Sequence, residues 1–341
     1  MRLIVSKCVG NCVDNCARTF AASLATLCLS AGLGLIMTPA KAGPAGFSFG
    51  VIGPVFKNGP AATMLELAIA DSNQLKPAFV VATGLKSLKE ACTDALYEQR
   101  KSVLNTSERP LVLSLAASDW SDCKNSHGRS AALERLTHVR DLFFGDTWSL
   151  GQHKIELTRL SSNASYRSYA ENAHWEYGRI MFATINLPAN NNDYRLDAGR
   201  NSEFEDRAVA NRTWLKRLFA LAQSKKLDGL VLFSDGDVGV VKTETMKSAA
   251  GSKHDGYLEM RRQIKALARQ FSGSVMLVDV QRSASPAGAA IAWQDNLGHV
   301  NVQSNWIEIH VNAERSASGR TSVRAPLFQL KRSAAIGPAQ R

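Results

Sequence analysis

The sequence predicts an α/β domain built around a largely parallel sheet, and two observations carry that prediction. Short apolar runs rich in Val, Leu and Phe alternate with segments of helical period for most of the chain, the order expected of strand–helix–strand units. Three of the runs also end at corners: Gly53-Pro54 after Phe47–Ile52, Gly84-Leu85 after Ala78–Thr83, and Ser118-Asp119-Trp120 after Leu111–Leu115. Unbroken apolar runs mark strands covered on both faces. In open α/β sheets, ligands gather just past the carboxyl ends of such strands.

The elements follow in order. Phe47–Ile52 reads as the first strand. Ala61–Asn73 carries Met64, Leu65, Ala68 and Ile69 at helical spacing and packs on the sheet. Ala78–Ala82 is the second strand, Ala91–Asn105 a helix, and Leu111–Leu115 the third strand. Ser130–Phe144 is a further helix, with Leu133, Leu136, Val139, Leu142 and Phe143 on its expected buried side. A polar, irregular middle runs from Gly145 to Ser168. Beyond it, Arg179–Leu187 alternates as a strand of an opposing sheet. A helix over Glu203–Ser224, a strand over Leu230–Phe233, a helix over Tyr257–Gln270, and strands over Ser274–Val280 and Trp306–Val311 complete the pattern.

With 341 residues, 45% of them hydrophobic, the chain can bury one large core or two modest ones. Arg2, Lys7 and Arg18 precede an apolar stretch from Phe20 to Met37, and Ala40 and Ala42 fit a small-x-small cleavage site. This predicts an export signal over residues 1–42 and a mature start at Gly43. An uncleaved anchor is the competing reading, since the stretch approaches transmembrane length; its small residues favour cleavage. Cys8, Cys12 and Cys16 match no metal-site spacing, and a misassigned start codon or an extended leader accounts for them. Removing the leader leaves Cys92 and Cys123, most simply a disulfide in an exported chain. The expected location is therefore periplasmic or secreted.

The net charge is +11. Basic residues are scattered, and no basic face interleaved with stacking aromatics points to nucleic acid. Weak attraction to anionic envelope components is the expectation instead. Residues 331–341 read as a loosely ordered basic tail after a domain spanning 43–330.

Several framework segments resemble one family. Ala91-Cys92-Thr93-Asp94-Ala95-Leu96-Tyr97, Asp119-Trp120-Ser121-Asp122-Cys123 and Arg140-Asp141-Leu142-Phe143-Phe144 stand in order with Trp175-Glu176, Asn190-Asn191-Asn192 and Arg207-Ala208 through Asn211 and Trp214-Leu215. Together they resemble the calcineurin-like metallophosphoesterases, in particular an exported bacterial branch. The resemblance implies a layered α-β-β-α sandwich and metal-assisted phosphoester hydrolysis. Two ions ~3.5–4 Å apart bind the phosphoryl oxygens and generate a hydroxide in such sites.

The ligand positions depart from that pattern. Pro54 stands where the resemblance implies the first Asp, with Phe56 at the nearby ligand position. Leu85 replaces the metal-bridging Asp, and Ser118 replaces the Asn ligand. Asp279 lies in the Leu277–Ser283 stretch that lacks both histidines of the final motif. The expectation is a protein that has lost two-metal hydrolysis and acts as a binding or structural module, with no cofactor. The alternative is a divergent hydrolase in which relocated carboxylates hold Mn, Fe, Zn or Mg. Asp119, Asp235, Asp237 and Asp279, with His174, are the candidate residues for such a rebuilt site. Asp235-Gly236-Asp237 also reads as a solvated turn, and Asp279 as a strand-end carboxylate bonded to backbone amides. The seven histidines show no ligand spacing.

Overall fold

The computed structural model describes residues 46–53, 55–57, 61–196, 201–241, 254–281, 290–312 and 326–333. The chain divides into two units, Met1–Lys41 and Ala42–Arg341, and every described residue belongs to the second. The export signal, Pro54 and the last eight residues lie outside the described residues.

Two sheets make the frame. The first holds β1 (Gly46–Ile52), β2 (Val80–Thr83), β3 (Leu111–Ser114), β11 (Trp306–Asn312) and β12 (Phe328–Ser333), in the order β12-β11-β1-β2-β3. The second holds β4 (Thr158–Arg159), β5 (Ala173–Tyr177), β6 (Ile180–Thr184), β7 (Gly229–Ser234), β8 (Ser274–Asp279), β9 (Ala292–Gln294) and β10 (Leu297–Asn301), ordered β4-β5-β6-β7-β8-β10-β9. Strands β1, β2 and β3 are parallel, as are β6, β7, β8 and β10. The other pairings are antiparallel.

Alternation along the strands builds three apolar layers. Phe49, Val51, Phe79 and Val81 of the first sheet meet Trp175, Phe182, Val231, Phe233 and Val278 of the second. The Phe49 and Phe79 rings stack 5.5 Å apart, and Phe79 lies edge-on to Phe182 at 4.7 Å. On the outer face of the first sheet, Val80, Leu111 and Leu113 pack under α1 (Ala61–Leu75), α2 (Asp94–Leu104) and α3 (Ala132–Phe144). On that of the second, Met181, Leu230, Leu232 and Leu277 pack under α4 (Ser202–Ser224) and α5 (Leu258–Gln270). The arrangement is the α-β-β-α sandwich.

Local chemistry sets several boundaries. Helix α2 begins at Asp94 because the Thr93 side chain accepts the Leu96 amide as its N-cap. Cys92 and Cys123 form a disulfide with Cα atoms 5.8 Å apart, tying the start of α2 to the loop after β3. Four differences from the sequence expectation stand out. The edge of the second sheet gains β4 and β5, where a polar middle and an unassigned stretch were expected. Strands β9 and β10 add to its other edge. Strand β12 runs to Ser333, three residues into the expected tail. Leu133 faces solvent, 58% exposed, and Phe144 is buried in its stead, because α3 presents its face one turn later than its apolar spacing implied.

Candidate functional site

The carboxyl ends of β2, β3, β6 and β7 gather their corner loops at one end of the sandwich, where two carboxylates that accept backbone amides stitch them together. Gly84, with φ +88°, turns the chain out of β2 in a conformation that L side chains rarely adopt. The next residue, Leu85, is fully buried. Its amide donates to Asp119 Oδ1 at 2.7 Å, and the Lys86 amide donates to the same oxygen at 3.3 Å. Asp119 Oδ2 accepts the Ala116 amide at 2.8 Å. One buried carboxylate thus closes the β3 corner and clamps the β2 corner onto it. Burial pushes its carboxyl up to about 7, with the Ala116 and Leu85 amides opposing.

Asp235 repeats the device between sheets. Its Oδ2 accepts the Ala117 amide at 2.7 Å and the Ala189 amide at 2.8 Å. The loop after β7 is therefore bound to the β3 corner of the first sheet and to the β6 corner of its own. Behind these corners, fully buried Arg207 on α4 donates to the Asn186 and Asn192 carbonyls and pairs with Glu203. It holds the loop after β6 through a run of positive φ at Asn191, Asn192 and Asp193.

Where the resemblance implies metal ligands, the side chains are of another kind. Buried Leu85 stands at the bridging position and buried Phe56 at the nearby one. Arg100 packs its guanidinium over the Phe56 ring at 5.6 Å and donates from Nε to the Leu85 carbonyl at 2.9 Å. Lys86, itself 3% exposed, sends its ammonium to the Ser118 and Ser87 carbonyls, both at 2.8 Å. Burial lowers the Lys86 pKa, and Asp119 offsets part of that. Apolar groups, fixed cations and carboxylates already bound to amides do not fit a pair of divalent ions.

A second cluster lies at the ends of β7, β8 and β10. The Asp279 carboxylate accepts the Gln281 amide at 3.0 Å and the Asn301 side-chain amide at 2.6 Å on Oδ1, while Oδ2 meets His299 Nε2 in a short contact. His299 Nε2 also lies 3.7 Å from Asp237 Oδ1. Burial raises the Asp279 pKa, and His299 opposes the shift.

The sequence candidates therefore fall into three places. Asp119 and Asp235 are the corner clamps, bonded to the successive amides of Ala116 and Ala117. Asp237 and Asp279 converge on His299. His174 lies elsewhere, on β5 with its ring 5.5 Å from that of Trp214 on α4. Ser118 contributes its carbonyl to Lys86. Sequence reasoning did not single out Lys86, and it met His299 only as one of seven histidines without ligand spacing. The alternation Leu297-Gly298-His299-Val300-Asn301, which puts His299 and Asn301 on one strand face, was the available signal.

No protein-family profile matches the sequence, and no curated protein matches it. Solved structures do. A dimetal phosphatase from Danio rerio superposes with a TM-score of 0.50 at 10% identity, covering 78% of this chain and 93% of its own. The fold is of the metallophosphoesterase type. A phosphatase from Mycoplasma pneumoniae aligns over 78% of this chain and 88% of its own, with a TM-score of 0.41 and 10% identity. Among the described residues, no helix is long and apolar enough to cross a membrane.

Proposed function

We propose that this chain is an exported protein of metallophosphoesterase fold that has lost two-metal hydrolysis and serves as a binding or structural module. One observation carries the reading. The β2 and β3 corners are closed by Asp119 against three backbone amides, with Leu85 buried where a bridging carboxylate is needed. Two-metal catalysis needs carboxylate and imidazole donors turned toward a shared ion pair, and these side chains do other work. Hydrolysis of p-nitrophenyl phosphate by the purified chain in Mn²⁺, Fe²⁺ or Zn²⁺ tests it. No turnover that a chelator abolishes is expected; robust chelator-sensitive turnover would overturn the reading.

The divergent-hydrolase alternative keeps one specific support, the convergence of Asp237 and Asp279. It requires that chelator-sensitive turnover disappear in Asp279→Asn. Export rests on the N-terminal sequence. Protein recovered from a periplasmic extract beginning at Gly43 would support it, and an intact leader on the cytoplasmic fraction alone would sink it.

A further inference from the structure

The cluster at the ends of β7, β8 and β10 is built like a site rather than a chance meeting of charges. Three donors of mixed chemistry, a carboxylate oxygen from Asp237, one from Asp279 and a ring nitrogen from His299, lie within 4.8 Å of one another. Three neighbouring strands or strand ends of one sheet supply them, so their spacing is fixed by the ladder itself. Asn301 stands in register with Asp279 across the β8–β10 pair and donates to Oδ1, leaving Oδ2 turned toward His299. Gly239 donates to Asp237 Oδ1 at 2.7 Å, and the Asp237 amide donates to the Gln281 side chain at 2.7 Å. Each carboxylate is thereby oriented by hydrogen-bond donors outside the cluster, the second layer that metal sites require of their surroundings.

We propose that Asp237, Asp279 and His299 hold a single divalent transition ion of the zinc class. One imidazole nitrogen and two carboxylate oxygens suit Zn²⁺, Mn²⁺ or Fe²⁺ better than Ca²⁺, which takes oxygen ligands in larger number. Tetrahedral bonds of ~2.0–2.1 Å place ligand atoms roughly 3.3 Å apart. The 3.7 Å between His299 Nε2 and Asp237 Oδ1 is already close to that spacing. The Asp279–His299 contact is tighter and must open, the ion taking the place of the shared proton. With three protein ligands among the described residues, at least one position is left for water or another ligand. This site shares only the Asp279 position with the dinuclear centre that the resemblance implies, since Asp237 and His299 match none of that centre's ligand positions. The inference goes beyond the loss of hydrolysis and fails separately from it: ion retention and turnover are read in different assays.

The test uses the purified mature chain, stripped with chelator and dialysed against Zn²⁺, with bound metal measured by elemental analysis. The expected result is close to one retained ion per chain, with affinity at least ~100-fold weaker in His299→Gln and in Asp237→Asn, and unchanged in His127→Gln on an exposed loop. Asp237 is the more exposed carboxylate of the cluster, so its variant stays informative if the histidine variant folds poorly. Co²⁺ loading adds a direct signature, the visible absorption of a low-coordinate cobalt centre, present in wild type and lost in both variants. Wild-type protein that is folded but retains no ion overturns the proposal. So does retention that both variants leave untouched, which would place the ion elsewhere.

Discussion

Replacing Asp119 separates a structural clamp from a metal ligand. The carboxylate is fully buried and accepts from Leu85, Lys86 and Ala116. Asp119→Ala strips the acceptor from all three amides at once. A buried donor left unsatisfied costs ~1–3 kcal/mol, so three of them cost on the order of 3–9 kcal/mol, towards the lower end if water enters. Asp119→Asn keeps one carbonyl oxygen and should lose about half as much. The pH dependence adds a second arm. The folded carboxyl sits at about 7 because of burial, against an unfolded value near 3.9. A raised carboxyl binds its proton in the folded state first, so this group's stabilisation is complete below pH ~4 and fades as pH rises through 7. Three pH units correspond to about 4 kcal/mol. Urea unfolding followed by tryptophan fluorescence, run at pH 5 and pH 8 on all three proteins, reads both arms. Asp119→Ala within about 0.5 kcal/mol of wild type at both pH values would refute the clamp, that being the range of ordinary surface substitutions.

The other predictions concern the neighbouring framework. Leu85→Asp, which places a carboxylate where the resemblance implies the bridging one, should destabilise by several kcal/mol because it buries a charge beside Asp119; a stable variant with chelator-sensitive phosphoesterase activity would contradict that expectation. His174 is buried against Trp214, neither ring nitrogen has a hydrogen-bond partner among the described residues, and burial lowers its pKa to about 4. The unfolded state therefore takes up the proton first, and stability falls as pH drops from ~6.5 to 4, by about 3 kcal/mol in full. Acid titration of His174→Leu should show that slope flattened, and an unchanged slope would clear His174 of the effect. Joint replacement of Cys92 and Cys123 by serine opens a loop of sequence separation 31 and should cost roughly 3–4 kcal/mol of unfolding free energy. Equal midpoints with and without reductant would argue against the bond.

The parts of the fold legible in the sequence are those whose burial is continuous. Strands β2, β3, β7 and β8 are covered by a second sheet on one face and helices on the other, so Val81, Val112 and Val231 sit in unbroken apolar runs. Strand β5 interleaves His174 and Glu176 with its buried residues. Strand β10 carries His299 and Asn301 toward the cluster, which interrupts the apolar signal. The corners were legible as places, since Gly84 and Asp119 stand directly after strands. The work done there was not. Asp119 acts on amides more than thirty residues earlier in the chain, and Asp235 reaches amides on two other loops. His299 meets Asp237 and Asp279 only through the strand order β7-β8-β10, a crossover that no local spacing encodes.

Counting the ions that the purified, folded chain retains separates a single-ion site from a dinuclear one. One divalent ion per chain is expected, held through His299 and lost in His299→Gln. Two ions per chain, retained together and unaffected by that substitution, would mean that the corners around Leu85 and Asp119 hold a dinuclear centre after all.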